Sequence, residues 1–181
     1  MSLFKSRKFA GVIAILMIIT AVLFGGYRSL SAKRAEVERL FTTGGGDVLG
    51  LNVMLSIRKN SATWMLALAD SVLDDKDDRY LAFKAARQAF VDAKSYSEIC
   101  TANKNLDEPL YRLRGRTVAV MNKTDKTEFD KLYNEFLALS IKIDSHVYNR
   151  EAQKFNDMLD KFPANVVALA TPLDPIPLFM E

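Results

Sequence analysis

His146 is the only histidine in 181 residues, and it bounds how much chemistry this chain can offer. With Asp144 two residues before it, the imidazole could act as a general base, because a neighbouring carboxylate can orient a ring that carries protons. A metal would need a second histidine or a cysteine at ligand spacing, and neither lies near it. Cys100 is the sole cysteine, so no intramolecular disulfide or thiolate cluster can form, and it reads as a small residue near a helix end. Asp74-Asp75-Lys76-Asp77-Asp78 gathers four carboxylates but lacks the glycine and the distal glutamate of a calcium loop. Acidic residues also favour a helix N-terminus without any ion. Gly44-Gly45-Gly46 is followed by no Lys-Ser or Lys-Thr and preceded by no strand, so it reads as a hinge and not as a phosphate cradle. No catalytic, metal-binding or cofactor-binding residue is expected, and the chain reads as a non-enzyme.

The remaining pattern with site-like spacing is Tyr148-Asn149, Phe155-Asn156 and Phe162-Pro163-Ala164-Asn165. Seven residues is two helical turns, so the three aromatic rings are expected on one stripe, with Asn149 and Asn156 sharing a face beside it. A buried amide needs partners and could fix helix register. Pro163 ends a helix by removing an amide, Asn165 can bond nearby backbone, and Val166 to Leu169 can then fold back on the helices. These roles are structural. A ligand site at this corner is the sharper alternative.

Several elements must position that motif. Phe9 to Phe24 is uncharged and almost wholly apolar, flanked by Lys5, Arg7 and Lys8 before it and Arg28 after it. With Tyr27 as an interfacial anchor, residues 9–27 are long enough to cross the hydrocarbon core of a bilayer as one helix. Ser29-Leu30-Ser31 before Ala32 loosely resembles a signal cleavage site, but the apolar stretch is long for a secretory signal, which favours an uncleaved anchor. Lys and Arg are almost balanced on the two sides. Moving three charges outward in a short tail is the less favourable option, so the N-terminus is expected inside and the domain on the extracytoplasmic side.

The four basic residues Lys5, Arg7, Lys8 and Arg28 are part of a total of 25, leaving 21 against 22 acids from residue 29 onward. A near-neutral domain without a basic run excludes nucleic acid as an expected partner. Residues 1–28 form the anchor, 29–46 a helical extension with the glycine-rich hinge, and 47–181 a single helical domain.

Within that domain Asp47 is expected to cap a helix from Val48 to Leu73, with Leu51, Met54, Leu55, Ala62, Met65, Leu68, Ala69 and Val72 at three- and four-residue spacing. Trp64 lies off the centre of that stripe, suited to edge packing or contact with a partner. A second helix is expected from Arg79 to Ile99, then a polar connection from Thr101 to Asp107. A short helix follows, capped by Asp107 ahead of Pro109, with Arg112, Arg114 and Arg116 as a solvated basic face. Asp125 with Glu128 is expected to cap the last helix. Phe129, Leu132, Phe136, Leu139, Ile143 and Val147 continue into Tyr148, Ala152, Phe155, Leu159 and Phe162, which predicts one long helix with a slip in phase between Ile143 and Tyr148.

Tyr148-Asn149, Phe155-Asn156, Phe162-Pro163-Ala164-Asn165 and the terminal Leu178-Phe179 together resemble the C-terminal signature of the LemA family. The plan of anchor and helices is similar over most of the chain, while only the final 35 or so residues match at motif level. Arg58 to Ala62 lacks the proline-containing segment usual in that helix. Thr171-Pro172-Leu173-Asp174-Pro175-Ile176-Pro177 stands where the family has glycine-phenylalanine and basic residues.

The resemblance implies an all-α fold: a transmembrane helix, then an antiparallel four-helix bundle-like domain with one long C-terminal helix. It also implies a bacterial, single-pass membrane protein without an assigned activity. The expected function is a scaffold or protein-interaction module with an unknown protein partner and a possible homo-oligomeric state. The alternative is a sensor or carrier that binds a small hydrophobic or lipidic ligand between helices.

Overall fold

The computed structural model describes residues 7–180. Eight helices are present among them: α1 (Arg7–Thr42), α2 (Leu51–Asp70), α3 (Asp78–Asp92), α4 (Tyr96–Lys104), α5 (Asp107–Thr117), α6 (Lys123–Asp144), α7 (Val147–Leu159) and α8 (Ala164–Ala170). No strand accompanies them beyond an isolated bridge between Gly45 and Val48, so the described chain is all-α. It forms two compact units, Met1–Glu38 with Glu151–Ile176, and Arg39–Arg150 with Pro177–Glu181.

In the first unit, α1 carries the apolar stretch from Phe9 onward and is long and apolar enough to cross a membrane, with that stretch unburied by the rest of the protein. Nearer its C-terminal part, Leu30 and Val37 are buried, as are Ala152, Phe155 and Leu159 of α7. Gly26 lies close against α8: a Cβ there would lie 2.7 Å from Val167 Cγ2. The Arg34 guanidinium donates to the Asp174 carbonyl at 2.7 Å, which ties the extended tail to α1.

The second unit is built on α2 and α6, its most extensively packed pair. Leu51, Leu55, Arg58, Ala62, Met65 and Ala69 are buried along α2, and Phe129, Phe136 and Ile143 along α6. The alternating four and three of the first set keeps one stripe facing its neighbour over the whole helix. Helix α3 adds Tyr80, Phe83 and Phe90, and α5 adds Leu110 and Leu113. The glycine run between α1 and α2 is a closed turn: Gly45 N–H donates to Val48 O, and Val48 N–H to Gly45 O, both at 3.1 Å. Gly44 has φ +77, and a Cβ on it would meet Val48 O at 2.0 Å, so this position accepts glycine alone.

Helix boundaries differ from the sequence expectation for identifiable reasons. Helix α2 starts at Leu51 with Gly50 at the N-cap and no side-chain cap, so Asp47 does not fill that role. The helix expected over Arg79 to Ile99 stops at Asp92. Ser95 then starts α4 with a capping box, in which Glu98 N–H donates to Ser95 Oγ at 3.2 Å and Ser95 N–H donates to the Glu98 carboxylate at 3.0 Å. Asp107 is the first residue of α5 and not its cap; its carboxylate accepts from Arg58 instead. At α6 the cap is Asn122, whose Oδ1 accepts from Asp125 N–H at 3.0 Å.

The single long C-terminal helix is two helices. Ser145 and His146 separate α6 from α7, and the phase slip marks this break.

Tyr80 donates to Asp70 at 2.6 Å. That hydrogen bond, then burial and the negative charge of Asp70 and Asp75, hold its phenol up to about 12 against an ordinary 10.0. A raised phenol favours the neutral form in the folded state. The bond's contribution is therefore intact below pH 10 and is lost as pH rises from there through about 12. Tyr80→Phe is expected to cost about 1 kcal/mol at neutral pH. In difference titrations of phenolate absorbance, it should remove a tyrosine that ionises near pH 12. If the variant instead loses a component titrating at ordinary pH, the hydrogen bond is not present in solution.

Candidate functional site

The motif residues converge on the tail. In the second unit, Asn149 Oδ1 accepts from Phe179 N–H at 2.7 Å while its Nδ2 donates to Phe179 O at 3.2 Å. The same amide donates to Ile143 O at 2.7 Å and Asp144 O at 3.0 Å, carbonyls of the last turn of α6. Tyr148 Oη–H donates to Pro177 O at 3.0 Å, and the Cys100 thiol donates to Leu178 O at 2.9 Å. Three consecutive residues of the tail are thus held through their main chain by side chains of the helices.

The Phe179 ring is buried against Tyr148 and Phe41, with ring centroids 5.7 and 5.6 Å away. Edge-on and tilted rings at these distances attract beyond the area they bury. Burial also pushes the Cys100 thiol up, which keeps it protonated as the donor this arrangement uses.

In the first unit Asn156 does the same for one residue. Its Nδ2 donates to Ile176 O at 2.8 Å and its Oδ1 accepts from Ile176 N–H at 2.7 Å, with the Ile176 side chain buried. A primary amide offers one donor and one acceptor in the spacing of an extended residue's C=O and N–H. Each asparagine therefore reads backbone, and the side chains of Ile176 and Phe179 provide the anchoring. The tail partners of these amides lie 20 and 30 residues away, and Asn149 also bonds the last turn of α6.

Tyr148 and Phe155 are buried as the stripe requires, but Phe162 is 83% exposed. Helix α7 ends at Leu159, so the seven-residue period has no helix to carry it to residue 162. Pro163 does not terminate α7; it stands at the N-cap of α8. The Asn165 backbone N–H donates to Lys161 O at 2.9 Å, while its side-chain oxygen is buried without a hydrogen-bond partner. The side chain does not make the local backbone bond expected of it.

His146 is buried in the α6–α7 break. Its Nε2 lies 2.9 Å from Leu49 O and its Nδ1 accepts from Tyr148 N–H at 3.1 Å. A carbonyl on one nitrogen and an amide on the other assign the Nε2–H tautomer, and both ring nitrogens are committed to main chain. Asp144 and Phe179 border a space of about 10 Å³ with Asn103, whose Oδ1 is buried without a partner. That volume suits one water and no substrate.

No protein-family model, curated protein or solved structure matches this chain.

Proposed function

We propose that this protein is a membrane-anchored helical interaction module of the LemA type. Helix α1 would be its single membrane pass, and the helices of the second unit an antiparallel bundle on the extracytoplasmic side. The observation that carries the reading is Trp64. It is 65% exposed and stands on a shallow groove of about 320 Å³ with Leu68 and Leu132, rimmed by Glu128. An indole left in water beside apolar side chains is the commonest anchor of a protein contact. Glu128 favours a partner segment that presents an apolar side chain next to a lysine or arginine.

A carrier of a small hydrophobic ligand is the second reading, favoured by a groove of about 550 Å³ that includes Ala89, Ala93, Thr101 and Ala102. That groove is open to solvent and would leave much of an apolar ligand wet, whereas ligand sites usually bury most of one.

A photo-crosslinking side chain at position 64, activated in intact membranes, tests the first reading. A discrete adduct is expected that Leu132→Glu abolishes and that a probe at exposed Arg112 does not form. Twice the chain's mass would make the partner a second copy. Equal labelling from positions 64 and 112 would overturn the reading.

A further inference from the structure

Among the described residues, the two most exposed large apolar side chains are not in the anchor. They are Leu169, 90% exposed, and Phe162, 83% exposed, both above Phe24 of α1 at 67%. Val166 is half-exposed between them. Val166 and Leu169 are three apart in α8 and share a side. No charged residue occurs between Lys161 and Asp174, so this segment offers water nothing but apolar surface and a few neutral polar groups.

Its position is fixed by the one apolar side chain of the helix that is buried, Val167, which meets α1 at Gly26. Gly26 lies two residues beyond Phe24, the end of the uncharged apolar stretch, and next to Tyr27 and Arg28. Two residues of helix advance only about 3 Å, whereas the interfacial band of a bilayer is roughly 5–7 Å deep on each side of the hydrocarbon. Glycine at 26 is what permits this closeness, since any Cβ would overlap Val167.

We propose that Phe162 and α8 form a second lipid-contacting element, seated in the interfacial layer of the bilayer beside the point where α1 leaves it. The inference rests on α1 being the membrane anchor. Its occupant is the bilayer itself, because the helix that carries Val166 and Leu169 meets α1 at Gly26, two residues past the end of the apolar stretch of α1. The segment carries no cation of its own, so contact is through apolar insertion and does not require anionic lipid. Contact at two points would fix the tilt of the first unit in the membrane.

Full-length protein reconstituted in phosphatidylcholine vesicles, with and without bromine-labelled acyl chains, gives the test. Trp64→Phe leaves a background without tryptophan, since the chain has only one. Single tryptophans are then placed as Phe162→Trp, Leu169→Trp, Leu16→Trp within the anchor, and Lys154→Trp on an exposed part of α7. All four positions are exposed, so none of these changes demands repacking.

Tryptophans at 162 and 169 are expected to lose roughly half or more of their emission to shallow-labelled lipid and that at 16 to deep-labelled lipid, while that at 154 is unaffected. Quenching at 16 with none at 162 and 169 overturns the proposal and leaves the anchor intact; such a result would hand the apolar face to a protein. No quenching at 16 removes the anchor reading and the proposal together.

Discussion

Asn149→Ala is expected to destabilise the protein by roughly 3 kcal/mol or more, because it strips partners from buried main-chain groups of the tail and of the α6 terminus at once. The Phe179 N–H donates to Asn149 Oδ1 at 2.7 Å, and the Ile143, Asp144 and Phe179 carbonyls all accept from Nδ2. Alanine supplies neither donor nor acceptor and leaves a space too crowded by Phe179 and Tyr148 to be freely watered. Asn156→Ala removes two bonds, both to Ile176, from a half-buried position, and should cost about 1–2 kcal/mol.

Asn149→Asp separates shape from hydrogen bonding. A carboxylate can still accept from Phe179 N–H but faces three carbonyl oxygens without a proton to give. It should be at least as damaging as alanine at neutral pH and partly recover in acid, where the protonated carboxyl regains one donor. Denaturant midpoints of the detergent-solubilised full chain, with protease access to the last residues as a second readout, measure both effects. An Asn149→Ala protein that melts with the parent and keeps its tail protected would show that the amide holds nothing.

The sequence makes some of this legible and hides the rest for physical reasons. Repeating three- and four-residue spacing exposes a helix wherever one face is buried, as along Leu51 to Ala69, and an unbroken apolar run exposes a helix long and apolar enough to cross a membrane. A change of phase between Ile143 and Tyr148 is equally visible. It cannot by itself distinguish a rotated stripe from a helix end, since Ser145 and His146 are not strong breakers. Here the new helix is started by an imidazole accepting Tyr148 N–H, a cap with no common signature.

The need of Asn149 and Asn156 for partners is equally legible, but their partners in the tail are main-chain groups 30 and 20 residues away. An extended segment interrupted by Pro172, Pro175 and Pro177 has no helical period to announce where it docks. Phe162 shows the opposite failure. Its seven-residue spacing is real in the sequence, yet the helix that would give it meaning stops three residues earlier. The side chain is left on the surface, where its exposure becomes the clue to a membrane contact. Ser95 and Glu98 did announce α4 through an S-x-x-E pattern, which the surrounding apolar spacing masked.

Asp107→Ala is expected to cost up to about 3–5 kcal/mol, the range for breaking a buried ion pair from one side, although Asp107 is not the cap of α5. Arg58 occupies a core position of α2, 1% exposed, between Leu55 and Ala62, with its guanidinium 4.0 Å from the centre of the Phe136 ring. Asp107 pairs with it from the start of α5 while keeping about a third of its own side chain in water, 30% exposed.

The two ends of the pair should therefore respond unequally. Removing the carboxylate takes an acceptor from a cation where water hardly reaches, and a face-on ring offsets only about 1–2 kcal/mol of that. Arg58→Met instead keeps most of the packed volume over Phe136 and leaves Asp107 to be solvated, so it should cost less than half as much. The double variant Arg58→Met with Asp107→Leu should recover most of the loss, since a well-packed apolar pair often equals a buried ion pair in stability. Unfolding midpoints for the two single variants and the double close a thermodynamic cycle. Equal losses for both single variants, or an additive loss in the double, would mean that the ion pair between Arg58 and Asp107 does not carry the stability assigned to it.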